Sequence, residues 1–283
     1  PGGPVLDELR HFLFIVEERT FTAASRRAHL SQPALTASIQ RLEAQLGGRL
    51  LHRGPGGASP TAAGEALIPK ARAALAAVDD GRRAVAEVLG LHAGEVRLGA
   101  GPTVATYMLP PYVAAYRADH PGVRLFLREA HSPQVWEGLR SGELDLGVVT
   151  GSSVDPRERI VTEPWREDEL VVVAAPGDPT PDAWVCFPRG STLRGLLDAS
   201  FDTPDVVMEL NSIAAVKGNV RAGVGRCLIS RDAVARDLES GALALVELPP
   251  TPLRRTMVLV HRGVDRLSPA AARLRARMLG TAT

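Results

Sequence analysis

Phe21-Thr22-Ala23-Ala24-Ser25-Arg26-Arg27-Ala28-His29-Leu30-Ser31-Gln32-Pro33-Ala34-Leu35-Thr36 is the stretch that decides how the first 60 residues fold. Ala24 and Ser25 are small enough to let two helices cross closely. A turn at His29–Ser31 then sets the second helix at a steep angle, which is helix-turn-helix geometry. Thr22, before Ala23-Ala24, is the expected start of the first of these helices, which runs to about His29. Ser31 is placed to cap the second, and Pro33 fits its first turn, where backbone N–H groups lack partners anyway. Leu35, Ile39, Leu42 and Leu46 recur at spacings of four, three and four, so one face is apolar until Gly47-Gly48 stops the helix. Gln32, Thr36, Ala37 and Gln40 lie off that face. A helix held this way offers short polar side chains to the edges of bases in a major groove.

Working outward, Leu9, Phe12, Leu13 and Val16 give an earlier helix its apolar face. From Arg19 to Pro60 the basic residues are Arg19, Arg26, Arg27, Arg41, Arg49 and Arg53, against one acid, Glu43. That local surplus suits a polyanionic partner, although the whole chain is almost neutral at +1. Arg53 to Pro60 is rich in glycine and proline and reads as a loop or short hairpin. From Thr61 to Leu89, Ile68, Ala71, Leu75, Val78, Arg82, Val85 and Leu89 form one seam with alternating spacings of three and four. Such a helix either packs on its own domain or pairs with its copy in a dimer, and the length of the seam favours pairing. Pro69 is expected to kink it, because the ring displaces the carbonyl of Glu65.

Past Gly94 the pattern changes. Strand candidates are Val96–Ala100, Val123–Glu129, Leu144–Thr150, Leu170–Ala175, Trp184–Pro188, Val206–Leu210, Arg226–Ser230, Ala244–Leu248 and Met257–His261. Helices are expected at Thr103–Asp119, Ser132–Ser141, Ser191–Ser200 and Ser212–Ala222. Alternation of this kind implies α/β architecture with mostly parallel sheets. The 283 residues suit two domains, and 45% hydrophobic residues let each bury a core. No apolar run is long enough for a transmembrane helix, and Pro1–Leu6 lacks the features of a secretory signal, so a cytoplasmic protein without a membrane partner is expected. Pro1-Gly2-Gly3-Pro4 is set aside as a cloning remnant or frayed end. Cys186 and Cys227 sit in apolar runs and read as buried small hydrophobes, with a redox pair as the alternative.

The quoted segment resembles the LysR-type transcriptional regulators. The resemblance continues through Leu9-Arg10-x-Phe12, Leu42-Glu43, Leu46-Gly47, Arg53 and Pro60-Thr61-Ala62-Ala63-Gly64, and more sparsely through Leu109-Pro110, Gly142-Glu143-Leu144-Asp145-Leu146-Gly147 and Ala222-Gly223-Val224-Gly225. It implies an α+β multidomain chain: an all-α winged helix-turn-helix at 1–60, a linker and dimerisation helix at 61–92, and an α/β, two-lobed, periplasmic-binding-protein-like effector domain at 93–283. Lobe I is expected at about 93–165 and 254–283, and lobe II at about 166–253. The implied partners are double-stranded promoter or operator DNA, a small-molecule effector and a homodimer or homotetramer, with RNA polymerase among the partners it allows. DNA contacts are expected from Arg26, Arg27, Ser31, Gln32, Pro33, Thr36, Ala37, Gln40 and Arg53, the last on a backbone phosphate. Two departures are notable: Ala37 and Ser38 stand where many members carry long polar side chains, and Ser25 and Ala28 replace the commoner alanine and leucine.

For the effector, the physical argument concerns strand ends, where helix N-termini offer free N–H groups. Gly101-Pro102-Thr103, His131-Ser132, Thr150-Gly151 and Arg189-Gly190-Ser191-Thr192 qualify. The candidate contacts are Pro102, Thr103, Val104, His131, Ser132, Thr150, Arg189, Ser191 and Thr192, with Arg189 the one fixed charge and a small carboxylate the expected ligand. Any of these hydroxyls can instead simply cap its helix. No enzymatic motif, metal site or cofactor is expected: the seven histidines show no HxxxH, and Gly223-Val224-Gly225 lacks the third glycine of a dinucleotide fingerprint. Glu143 and Asp145 read as a solvated turn and a cap. A rival class stays open at this point, namely a two-lobed solute-binding or enzymatic protein whose N-terminal helices only mediate assembly.

Overall fold

The computed structural model describes residues 6–54, 57–89, 94–151, 160–177 and 182–281. Pro1-Gly2-Gly3-Pro4 and the expected division at residues 92 and 93 lie outside them. The chain separates into two compact units, Pro1–His92 with Glu137–Glu143, and Ala93–Trp136 with Leu144–Thr283.

In the first unit, α1 (Leu6–Glu18), α2 (Phe21–Arg27) and α3 (Gln32–Leu46) are followed by a hairpin of β1 (Leu51–Gly54) and β2 (Gly57–Pro60), then by α4 (Ala62–Val88). The α2 helix starts earlier than Thr22. Arg19 is left-handed at φ 58°, and Thr20 is extended and caps the helix, its Oγ1 accepting from the Ala23 N–H at 3.2 Å. The helix also ends earlier, at Arg27, because His29 turns left-handed at φ 53° and the Leu30 N–H returns to the Ser25 carbonyl. Ser31 caps α3 as expected, and Gly47 closes it at φ 74°. Leu46 is 45% exposed, so the buried face stops at Leu42. Leu9, Phe12, Leu13 and Ile15 of α1 pack with Ala24, Leu35, Ile39 and Leu42 in one core. Glu43, the lone acid of its stretch, accepts from the backbone N–H groups of Leu50 and Leu51 and so fixes the entry to the hairpin.

The α4 helix runs through Pro69 without interruption. Its seam divides. Ala71 is buried and Ile68 and Leu75 are half-buried in the same core as α1, whereas Val85 and Leu89 are 59% and 63% exposed. The seam is therefore only partly available for pairing, because its first turns already pack on their own domain.

In the second unit, β3 (Glu95–Ala100) leads into a π-helical turn, Val104–Met108, and then α5 (Pro110–Asp119). The single helix expected at Thr103–Asp119 is broken there. Pro110 and Pro111 have no N–H to continue an α-helical ladder, and the Leu109 N–H reaches back to the Val104 carbonyl. There follow β4 (Arg124–Glu129), α6 (Ser132–Ser141), β5 (Leu146–Thr150), β6 (Val161–Ala174), β7 (Ala183–Cys186), α7 (Thr192–Ser200), β8 (Asp205–Glu209), α8 (Ile213–Arg221), β9 (Cys227–Ser230), α9 (Arg231–Glu239), β10 (Ala244–Val246), β11 (Leu253–His261) and α10 (Pro269–Leu279). Asp145 is a buried clip rather than a solvated cap, exchanging hydrogen bonds with the backbone of Arg97.

The sheets are less parallel than the alternation implies. Parallel pairing joins β3 to β4, β3 to β5 and β7 to β8, but β6 and β11 pair antiparallel with each other and with their remaining neighbours. These two long strands serve two separate cores. Trp165, Met257 and Leu259 belong to the core of Val96, Leu98, Tyr116, Leu146 and Leu274. Leu170–Val173 and Leu253 belong to that of Trp184, Leu197, Val216 and Ile229. Within the first core, the Tyr116 hydroxyl donates to the Ala270 carbonyl at 2.8 Å. Glu163 of β6 receives Arg275 and His261, and the Arg275 guanidinium holds its carboxyl below the usual carboxylate range. Both cysteines are free and buried, and burial pushes the Cys227 thiol up to about 12, opposite to what a reactive thiolate needs.

Candidate functional site

On α3, the Ser31 Oγ accepts from the Ala34 N–H at 3.3 Å, which frees the first turn from a search for backbone partners. Gln32, Pro33 and Gln40 are exposed, and Thr36 and Ala37 are half-buried, while Leu35, Ile39 and Leu42 are wholly buried. Ser38 sits on the inner face, 2.8 Å from Nδ1 of His11, and burial pushes that imidazole below its ordinary pKa.

The six arginines of this stretch are not equivalent. Arg27 pairs with Glu17 and Glu18 at 2.8 and 3.0 Å and lies over the Phe14 ring, and Arg41 pairs with the buried Glu8 at 2.8 Å. Both charges are engaged inside the domain. Arg19, Arg26, Arg49 and Arg53 have no ion pair among the described residues, and all four are exposed. Arg53, on β1, is steadied by the Phe21 ring 4.3 Å beneath its guanidinium. The unpaired positive charge is thus carried by the start and body of α2 and by the hairpin region, which meet where Arg53 lies over Phe21 and the Ala58 N–H donates to the Arg19 carbonyl.

In the second unit, Pro102, Thr103, Val104, His131, Ser132, Thr150, Arg189, Ser191 and Thr192 line one cavity of about 310 Å³. Three strand ends converge on it, since β3 leads to Thr103, β4 to His131 and β5 ends at Thr150. The three expected helix N-termini lie there, those of α6 at Ser132 and α7 at Ser191 and a helical turn opening at Pro102–Thr103, which passes at once into the π-helical turn. The hydroxyls differ in availability. Ser191 caps α7, accepting from the Arg194 N–H at 3.2 Å. Thr103 is 7% exposed, makes no cap, and has no hydrogen-bond partner among the described residues.

Sequence reasoning missed part of the lining, notably Phe187, Asn211, Ile213, Met257 and Arg255. Arg189 is therefore not the one fixed charge. Arg255 belongs to the first half of β11, where Leu253-Arg254-Arg255-Thr256 alternates half-buried and exposed residues. That period of two was a signal for a strand, hidden by the paired arginines. The described lining contains two arginines and a histidine, and no aspartate or glutamate.

A helix-turn-helix with a cationic, polar outer face, on the same chain as an α/β unit with a ligand-sized cavity, defines a ligand-responsive DNA-binding protein. The family model for bacterial regulatory helix-turn-helix proteins of the lysR family matches residues 6–65, and that for the LysR substrate binding domain matches residues 89–282. A probable RuBisCO transcriptional regulator of Cyanidioschyzon merolae is 31% identical over 274 residues, covering 89% of this chain and 90% of that protein. An uncharacterized HTH-type transcriptional regulator, YeiE, of Escherichia coli K12 is 30% identical over 283 residues, covering 95% and 94%. ArgP from Mycobacterium tuberculosis shares the fold with a TM-score of 0.72 at 20% identity, over 99% of this chain and 97% of that one. The chain belongs to the LysR family: it is a DNA-binding transcriptional regulator with an effector-binding domain. The family match favours a regulator over the rival of a solute-binding or enzymatic protein with helices used only for assembly. No helix among the described residues is long and apolar enough to cross a membrane.

Proposed function

We propose that this regulator senses a small anionic metabolite in the cavity of its second unit and alters promoter activity when that cavity is filled. The carrying observation is the lining itself: Arg189, Arg255, His131 and five hydroxyl-bearing residues, with no aspartate or glutamate among its described residues. A ligand bound here must favour one arrangement of the two cores over another, or it shifts nothing. Residues 1–60 act as the DNA-binding domain, 61–92 as the linker, and 93–283 as the sensor, with lobes at about 93–165 plus 254–283 and about 166–253. The protein works in the cytoplasm and catalyses no reaction. A thermal-shift screen of small carboxylates beside their neutral amides, at constant ionic strength, tests the ligand class. Selective stabilisation by carboxylates is expected, and equal stabilisation by the amides overturns it.

For DNA, Gln32, Pro33, Thr36, Ala37 and Gln40 read the groove from an α3 capped by Ser31, and Arg26 and Arg53 meet phosphates. Arg27, held by Glu17 and Glu18, contributes less than the other two. Arg53→Ala is expected to weaken binding to operator and random DNA alike and to lower the salt slope by about one unit. Gln32→Ala should instead reduce discrimination between the two DNAs by about 1–3 kcal/mol. Electrophoretic shifts with the upstream region of the gene and with random DNA, over a range of salt, measure both. Equal losses on both DNAs for Gln32→Ala reassign that residue to backbone positioning.

The exposed end of α4 supports self-association, as a dimer or tetramer. Val85→Asp with Leu89→Asp places charge on the two seam positions that no core covers. Light scattering should show a smaller particle with unchanged helix content, and an unchanged mass removes this end of α4 from the interface.

A further inference from the structure

Arg255 sits directly opposite Asp168 in the antiparallel pairing of β11 with β6. Its Nε and Nη2 both reach Asp168 Oδ2 at 2.7 Å. The other carboxylate oxygen, Oδ1, accepts from the Ser230 hydroxyl at 2.6 Å. Ser230 stands at the N-cap position of α9 but does not cap it; its hydroxyl is committed to Asp168 instead. The carboxylate and the serine are almost fully buried, and the arginine side chain is 9% exposed.

The donors and acceptors do not balance within this group. A guanidinium carries five N–H donors, and Asp168 engages two of them on the Nε/Nη2 edge. Asp168 is occupied on both oxygens, and no other partner of Arg255 exists among the described residues. The Nη1/Nη2 end is left with unused N–H groups, and Arg255 lines the cavity. That end has the fork geometry that takes a carboxylate through two parallel hydrogen bonds. Arg189 also lines the cavity but is exposed, so solvent and salt screen its charge more than that of Arg255.

We propose that Arg255 is the specificity-determining residue of the cavity: it receives an anionic group of the ligand, a carboxylate or similar oxyanion, on its free end while Asp168 and Ser230 hold its other edge. This rests on reading the cavity as the effector site. Asp168 orients Arg255 but also offsets its charge, so it tunes affinity downward as well as fixing geometry. A neutral ligand gains ordinary hydrogen bonds from the same fork, and an anion gains charge-assisted ones. Because Asp168 lies on β6 and Ser230 opens α9, ligand charge at Arg255 acts on a group shared by the long strands and by the second core.

The test is calorimetric titration of the full chain with acetate, malonate and inorganic sulfate at constant ionic strength, with malonamide as the neutral comparison. Asp168→Asn combined with Arg255→Gln replaces the ion pair with a neutral hydrogen-bonded pair, which avoids stranding a buried charge. It is expected to weaken the anion bound by wild type about tenfold or more and to weaken malonamide by a much smaller factor, about threefold or less. Asp168→Asn alone should strengthen anion binding several-fold, because the cation loses its counter-charge and keeps an oxygen partner. A merely structural ion pair predicts the reverse for that variant. Anion affinity within about twofold of wild type in the double variant, or no gain in Asp168→Asn, overturns the assignment. Thr103→Val separates the two readings. If it weakens the anion and the double variant does not, the cavity stands and Arg255 falls. If neither variant matters, or none of the three anions binds wild type, both fall.

Discussion

Ile39→Ala is expected to destabilise the N-terminal unit by about 2–5 kcal/mol and to abolish DNA binding at physiological temperature. Ile39 is fully buried and packs with Phe12, Ile15, Leu35 and Leu42, so truncation removes apolar contact and leaves a void that helices held by short turns fill poorly. A unit of this length holds only about 5–13 kcal/mol of net stability, so the loss is a large share of the whole. Ile39 lies one residue before the exposed Gln40, and the substitution therefore acts on DNA through the position of α3 rather than through a contact. Denaturant unfolding followed by circular dichroism should show an early transition shifted to lower denaturant and a later one unmoved. Gln32→Ala, exposed on the same helix, should change stability by no more than about 0.5 kcal/mol while affecting DNA discrimination. A wild-type unfolding curve for Ile39→Ala would mean that the helix is held by something other than this core.

The helix-turn-helix was legible because its signals are local. The three/four apolar spacing of α3, a serine cap and a terminal glycine each act within a few residues, and only the ends of α2 shifted, where left-handed Arg19 and His29 set the boundaries. The cavity segments were legible for a related reason: each is a strand end followed by a hydroxyl-bearing residue, and strand ends converge in this architecture. Two kinds of feature were hidden. Long strands that carry charge, β6 with Glu163, Pro164, Arg166 and Glu167 and β11 with Arg254 and Arg255, break the apolar pattern by which strands are found. Several of these charges are tolerated because partners distant in the chain meet them, as Asp168 does Arg255 across the strands, Arg275 of α10 does Glu163 and Asp232 of α9 does Arg166. Spacing also could not tell which arginines of the first 60 residues were already paired. Arg27 is engaged by acids 9 and 10 residues earlier, whereas its neighbour Arg26 is open.

Removal of the Asp168 carboxylate is the second large effect. Asp168→Ala leaves a guanidinium that is 9% exposed without its anion and the Ser230 hydroxyl without an acceptor. Breaking a buried pair from one side costs about 3–5 kcal/mol, and the lower end applies here because the cavity lets water reach the free end of Arg255. About 3 kcal/mol corresponds to a fall in melting temperature of about 6–12 °C for a domain of this size. Asp168→Ala combined with Arg255→Met should recover much of the loss, since the cost comes from the stranded charge more than from the missing bond. Scanning calorimetry of wild type, both single variants and the double variant closes the cycle and isolates the pair's coupling. A coupling near zero would show that Arg255 is solvated well enough through the cavity to need no counter-ion. Coupling of about 2 kcal/mol or more, with Asp168→Ala the less stable single variant, would show that Asp168 is what keeps a cation in the cavity lining when no ligand is there to share it.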